Sequence, residues 1–381
     1  MSKTGYKRLG DYIREVDVRN RDLEVKELVG LTINKAFIPS VANTIGTDLS
    51  NYKVIRKEQF ACSLMQVSRD GKMPVAMFEG ECAIMSPAYP MFEVVDKTVL
   101  LPQYLMMWFS RNEFDREASF YAVGGVRGSL TWQDFCDMTL PIPPIEQQRK
   151  IVAEYETISK RIRLNEQMIT RLEETAQTLY RKMFVDGIDK ENLPEGWRIG
   201  TLGEVADINP RLSLQKNENC SFVEMDALPI KGFGIKKFAQ KLYSGGTKFQ
   251  NGDVLFARIT PCMENGKAAV VRSLLPNEIA AGSTEFIIFR GKYIQLTGLL
   301  STIIREQEFK IFAKKCQTGS DGRQRVEADS LRSFPMVIPP TLKLKDIEST
   351  FYCILNHSLA SDQENKILIE LQSLLLARMW K

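Results

Sequence analysis

A chain of 381 residues with 44% hydrophobic and 26% charged residues is ordinary globular material, long enough for two or three domains that each bury a core. Its net charge of +4 is small but unevenly placed: residues 196–340 carry 20 Lys and Arg against 14 Asp and Glu, and residues 1–143 carry 17 against 18. If both segments bind a polyanion, the second should lean harder on charge.

No apolar run reaches the length of a membrane span, and Met1-Ser2-Lys3-Thr4 leads into no signal-peptide core, so a cytoplasmic protein with no membrane partner is expected. The seven cysteines lie tens of residues apart without a C-x-x-C, which reads as reduced core thiols. The single histidine, His357, removes the usual zinc sites and the Ser–His and Cys–His pairs. Inside a helical stretch it reads as a packing residue. No metal site is expected, and no catalytic residue.

Residues 1–143 carry short strand-like runs such as Val75-Ala76-Met77-Phe78 and Met91-Phe92-Glu93-Val94-Val95. A helix is expected over residues 102–117, with Tyr104, Leu105, Trp108 and Phe109 on its apolar side. The segment closes on Leu140-Pro141-Ile142-Pro143-Pro144, where proline enforces extended backbone and prepares a helix start. Residues 144–187 then read as one long helix. Ile151, Tyr155, Ile158, Ile162, Asn165, Ile169, Leu172, Ala176, Leu179 and Met183 recur by alternate steps of four and three. This is the period of a coiled-coil seam, with Asn165 as a polar position that fixes register at some cost in stability.

Leu193-Pro194-Glu195-Gly196-Trp197-Arg198 forms a turn-rich boundary. Residues 193–340 read as α+β again, with strands at Asp253-Val254-Leu255-Phe256-Ala257 and Glu285-Phe286-Ile287-Ile288-Phe289. Residues 341–381 repeat the long helix, its seam on Ile347, Phe351, Ile354, Ser358, Ser361, Asn365, Leu368, Gln372, Leu375 and Met379.

The chain is thus one plan stated twice. Residues 126–184 lie over residues 322–380 without a gap at a shift of 196, so that Arg127 meets Arg323 and Ile142-Pro143-Pro144 meets Ile338-Pro339-Pro340. Upstream, Leu9-Gly10-Asp11 faces Leu202-Gly203-Glu204, and Asp70-Gly71-Lys72 faces Asn265-Gly266-Lys267, at shifts of 193 and 195. A period this long is a duplicated domain-plus-helix unit. The fold class expected is α+β, with two duplicated domains separated by two long helices that form an antiparallel coiled coil. A helix of about 39 residues is about 58 Å long, the length of about 17 base pairs.

These blocks resemble the specificity subunit of bacterial type I restriction-modification systems over essentially the whole chain. The likeness is carried by Gly124-Gly125-Val126-Arg127-Gly128-Ser129-Leu130 and by Leu140-Pro141-Ile142-Pro143-Pro144-Ile145-Glu146-Gln147-Gln148 opening a long helix. In the second half it lies in residues 193–198, in Arg258-Ile259-Thr260-Pro261-Cys262-Met263-Glu264-Asn265-Gly266-Lys267 and in Gly282-Ser283-Thr284-Glu285-Phe286. The second helix opens Pro340-Thr341-Leu342-Lys343-Leu344, without the Glu-Gln-Gln of the first. The resemblance implies two target-recognition domains, each reading half of a split DNA site, with the helices as a ruler between them. It also implies double-stranded DNA and two methyltransferase subunits as partners, together with restriction subunits. S-adenosylmethionine, ATP and magnesium are then expected on those partners and no cofactor on this chain. Consistently, the sequence holds no amino-methyltransferase tetrapeptide (Asn209-Pro210-Arg211-Leu212 is the nearest) and no Walker-type loop.

Base reading needs Arg, Lys, Gln or Asn on a rigid frame, and phosphate clamping needs basic and small polar groups in loops. The candidates are Arg127 and Ser129 with Arg323, Gln324 and Arg325 in the paired glycine loops, and Arg258, Asn265 and Lys267 in the loop of residues 258–267. Gln66, Arg69 and Lys72 stand at a similar place in the first copy, and Lys231, Lys236 and Lys237 flank Gly232-Phe233-Gly234. The plain alternative for each is a solvated turn residue or a scaffold bond. For the whole chain the alternatives are the specificity subunit of a related type II (IIB or IIG-like) system, a nuclease or methyltransferase acting alone, and a coiled-coil scaffold that binds proteins.

Overall fold

The computed structural model describes residues 5–40, 46–65, 67–123, 128–319 and 324–379. It divides into two compact units, Met1–Lys160 with Ile369–Lys381, and Arg161–Leu368.

The first unit is built on a four-stranded antiparallel sheet in the order Ile13–Glu15, Met91–Val94, Phe60–Cys62, Val75–Met77. Its strands supply Phe60 and Phe92, stacked at 5.0 Å, to a core shared with Trp108, Phe109 and Phe114. The helix expected over residues 102–117 is two helices, Pro102–Phe109 and Asn112–Ala122. Ser110 bonds back to the Met106 carbonyl through both its amide and its hydroxyl, and Arg111 turns extended (φ −82, ψ 143), which ends one helix and starts the next. Tyr6–Arg8 pairs with Thr139–Pro141, so the unit's first strand is closed by its last.

The second unit repeats this plan strand for strand. Its sheet runs Ala206–Ile208, Phe286–Gly291, Val254–Ala257, Ala268–Val270, and Arg198–Thr201 pairs with Pro335–Ile338. The helices Thr297–Ile303 and Gln307–Lys315 take the places of the two above. The repeated Leu-Gly pair has a packing cause. A Cβ on Gly10 would stand 2.9 Å from Cys136 Cβ, and one on Gly203 would stand 2.9 Å from Arg332 Cβ. The neighbouring amides of Leu9 and Leu202 donate to Met138 and Phe334 at 2.8 and 2.9 Å. Outside the shared sheet the copies keep one strand order and differ in how fully it is bonded. The first unit has two ladders, Val29–Leu31 with Phe37–Pro39 and Lys53–Arg56 with Cys82–Met85, joined by a parallel bridge between Leu28 and Ile84. The second has a four-stranded sheet in which Asn219–Val223 runs parallel to Ala280–Gly282.

The long helices are Ile145–Tyr180, continued by a π turn at Arg181–Val185, and Thr341–Arg378. All the seam residues expected on both are buried or half-buried. Within the second unit Asn165 Nδ2 donates to Asn365 Oδ1 at 2.9 Å and to Glu364 Oε2 at 2.8 Å. Leu172 and Ala176 line a small space with Phe351 and Leu355, so the two segments run antiparallel there. Within the first unit Gln372 Nε2 donates to Ser159 Oγ at 2.6 Å, and Tyr155 and Leu376 pack against the core that holds Val152 and Met379.

Each helix is pinned to its unit by one buried polar side chain. Gln148 donates to the carbonyls of Val99 (2.7 Å) and Pro143 (2.8 Å) and accepts from the Leu101 amide at 2.9 Å, just ahead of Pro102–Phe109. Glu348 accepts the amides of Gly298 and Leu299, each at 2.8 Å, at the start of Thr297–Ile303. The Glu-Gln-Gln missing from the second helix is therefore replaced in function by a residue one turn farther on. Two expectations are corrected. His357 is exposed rather than packed, because Phe351, Leu355 and Ser358 take the inward face. Of the cysteines, Cys62, Cys136 and Cys220 are buried, whereas Cys353 is exposed.

Two outcomes are expected. Asn165→Leu leaves Asn365 buried without its partner and should cost about 1–3 kcal/mol, whereas replacing both by Leu should restore or raise stability. Denaturant unfolding of the two singles and the double decides it; additive losses would rule out a seam pair. Burial pushes the Glu348 carboxyl from the usual 4.5 up to about 7, its two backbone donors opposing the rise. A folded pKa above the unfolded one means stability present at low pH and lost as pH rises toward 7. The melting temperature should therefore fall between pH 5 and pH 8 by a component, on the order of 3 kcal/mol at most, that Glu348→Gln abolishes. An equal pH slope in both proteins would refute it.

Candidate nucleic-acid interface

The second unit gathers most of the candidate residues at one end of its sheet. Val254–Ala257 and Ala268–Val270 are buried strands, and the connection between them folds on itself. The amides of Met263, Asn265 and Lys267 donate to the carbonyls of Ile259, Pro261 and Cys262 at 2.9–3.0 Å. The Thr260–Pro261 peptide is cis, and Gly266 takes the left-handed φ of +71° that the turn requires. Its counterpart Gly71 has φ +65°, so the two Gly-Lys turns are alike in conformation as well as in sequence.

Three sequence motifs far apart in the chain meet here. The Arg258 amide donates to the Glu285 carbonyl, the Val326 amide donates to the Arg258 carbonyl, and the Thr260 amide donates to the Gln324 carbonyl at 3.2 Å. Gln317 Nε2 also holds Thr260 Oγ1 at 2.9 Å. Glu285 receives Arg325 through Nε at 2.9 and 3.0 Å, and Arg258 Nε lies 3.4 Å from its Oε2. Hydrogen bonding to this carboxylate raises the Arg325 pKa further. Asn265 is exposed at the turn, and Lys267 reaches back to the Met225 carbonyl at 3.3 Å. Lys237 pairs with Asp226 at 2.9 Å, which raises the lysine and lowers the carboxyl.

Lys231 and Lys236 are exposed, but the glycines between them face inward rather than outward. The Gly232 amide donates to Glu173 Oε2 at 3.0 Å, and a Cβ on Gly234 would stand 2.0 Å from Asp362. Both partners belong to the long helices, so this Gly-Phe-Gly run serves close helix approach. Arg305 completes the anchor. It is buried, pairs with Glu173, donates to the Gly232 and Ala268 carbonyls, and lies 4.1 Å over the Phe233 ring. Sequence reading missed Glu285 as the centre of the cluster, and also Lys310 and Lys314. Lys310 Nζ lies 3.6 Å from where a Gly266 Cβ would stand, and Lys314 pairs with Glu264 at 2.8 Å. Their spacing of four on one amphipathic helix was the available signal.

In the first unit Arg69 is exposed and pairs with Asp70 at 2.7 Å, and Lys72 is exposed just past Gly71. Ser68 Oγ lies 3.5 Å from the Gly128 carbonyl, and the Leu130 amide donates to Leu64 at 2.9 Å. These bonds hold Gly128, where a Cβ would stand 3.9 Å from the Arg69 amide, and leave the next residue, Ser129, half-buried. Gln66, Arg127 and Arg323 lie outside the described residues.

No family model matches the chain. In sequence it is similar to the specificity subunits of two type I restriction enzymes of Escherichia coli, EcoEI (30% identical over 235 residues) and EcoAI (32% over 227). These matches take in 59% and 56% of this chain but only 36% and 35% of the relatives. The chain thus spans little more than a third of the length of the curated relatives it matches. In fold it is similar to a solved S subunit of a type I restriction-modification system from M. genitalium. The TM-score is 0.58 at 12% identity, over 99% of this chain and 96% of that one. The resemblance to type I specificity subunits read from the doubled motifs is borne out by these sequence matches, and the mixed helix-and-sheet fold is one an S subunit has.

Proposed function

We propose that this chain is the DNA sequence-recognition subunit of a type I restriction-modification complex, non-catalytic in itself and cytoplasmic. Each unit reads one half of an asymmetric bipartite site. The two long helices, paired as an antiparallel coiled coil, set the unread spacer and dock two methyltransferase subunits. The observation that carries this reading is the recognition plan built twice, in a chain similar to specificity subunits. The unlike charged groups that the two units present support unlike half-sites, since identical readers would favour a palindrome.

On this reading the first unit meets DNA through Arg69, Lys72 and Ser129 together with Gln66 and Arg127. The second uses the Arg258–Lys267 turn with Gln324, Arg325 and Arg323, while exposed Lys231, Lys236 and Lys237 follow phosphates. S-adenosylmethionine is held by the methyltransferase subunits, and ATP and magnesium by restriction subunits.

The test is to co-express the chain with the methyltransferase subunit and map methylated adenines across the host genome. One motif of two unlike half-sites around a fixed spacer is expected. No new methylation, with DNA binding also absent, overturns the reading. Inserting four residues beside Asn165 should change the spacer that is accepted; a folded variant with an unchanged spacer would remove the ruler.

A further inference from the structure

The two units share a backbone hydrogen bond at the mouth of the core hairpin and dress it differently. In the first, the Leu130 amide donates to the Leu64 carbonyl at 2.9 Å; in the second, the Val326 amide, 196 positions on from Leu130, donates to the Arg258 carbonyl at 3.0 Å. Leu64 and Leu130 carry no ionisable group, so the first pair offers no charge. The second offers a guanidinium leaning on a carboxylate, with Arg325 gripping the same carboxylate from another strand through Nη2 at 2.8 Å. The first copy builds the same sheet without this cluster. The cluster is therefore dispensable to the scaffold and belongs to what the second unit alone does.

Its geometry suits an arginine that reads a base. Arg258 follows directly on the strand Val254–Ala257, with its amide held by Glu285 and its carbonyl by the Val326 amide at 3.0 Å. Glu285 is fixed in turn: its amide bonds Ser283 Oγ at 3.2 Å, and the strand Phe286–Gly291 begins at the next residue. Both groups thus stand on rigid elements, as positioned recognition requires. The carboxylate lies against Nε, at the root of the guanidinium. Among the described residues no hydrogen bond takes up Nη1 or Nη2 of Arg258, and the side chain keeps 29% of its surface exposed. Those two nitrogens are the pair whose fork matches O6 and N7 of guanine in the major groove.

We propose that Arg258, steadied from behind by Glu285, reads a guanine in the half-site of the second unit, with Glu285 and Arg325 as positioning residues. The proposal rests on the DNA-reading function above and adds to it the base and the residue.

The test uses the full chain assembled with its methyltransferase subunit, on duplex libraries in which each position of both half-sites is varied. Arg258→Ala should lower discrimination for G·C at one position of one half-site by roughly 5- to 150-fold and leave the other half-site unchanged. Arg258→Lys keeps the charge but not the fork, and should lose the same discrimination. Glu285→Gln should weaken it at that position only. If Arg258→Ala fails to fold, as thermal melting would show, Arg258→Lys decides the matter. Uniform weakening on every sequence, with a salt dependence lower by about one phosphate contact, would make Arg258 a phosphate clamp and overturn the proposal. Full retention of the motif in Arg258→Ala, or a wild-type motif with no G·C pair in either half, overturns it while sparing the DNA-reading function. A wild-type assembly that methylates no motif removes both.

Discussion

A helix that begins against another helix has amides at its first turn that neither its own backbone nor water can satisfy. Both units meet this constraint with a side chain from a long helix. Gln148 does so for the segment entering Pro102–Phe109, and Glu348 does so for Thr297–Ile303. A buried amide left without its acceptor costs about 1–3 kcal/mol, so these bonds fix where each long helix meets its unit. The second unit adds the buried Arg305–Glu173 pair, in which Arg305 Nη2 also donates to backbone carbonyls. With so many bonds at one guanidinium, the anchor holds a single orientation of helix against sheet. The placement of every surface group on the unit follows from it.

The duplication separates what the fold needs from what each copy does. The four-stranded sheet, the closing strand pair and the close approach at Gly10 and Gly203 occur in both units. The charged cluster at the hairpin mouth occurs in one only, and the outer strands, present in both, form a continuous sheet in one only. The uneven charge of the sequence has its structural form here. The second unit clusters Arg258, Arg325, Lys267, Lys310 and Lys314 around two carboxylates, Glu285 and Glu264, and the first presents Arg69 and Lys72 beside Asp70. Surfaces so different on one frame suit two unlike targets.

Much of this frame was legible in the residues. The seam from Ile151 to Met183 follows from period alone, because a 3.5-residue repeat can be buried only along one helix face. Strands at residues 75–77, 91–94 and 254–257 were visible as short apolar runs between turn residues. The break at Ser110-Arg111 was not visible. It depends on a hydroxyl bonding back one turn, and Ser is common enough inside helices for composition to stay silent. The glycines around Phe233 were legible only as the setting of three lysines; that the long helices pack closely on them is visible in the fold alone.

What the sequence determined by itself is the doubled plan, its helical seams with their buried asparagine, and the resemblance those motifs carry. All of these are properties of order and period along one chain. What only the tertiary structure decided is which distant residues share a site. Arg258, Glu285 and Arg325 are separated by tens of residues and meet because two strands and a returning segment exchange backbone bonds. The same applies to Gln148 and Glu348, which do one task from positions that no alignment of the two copies would match. Contacts of this kind are set by packing in three dimensions, which period and composition do not encode.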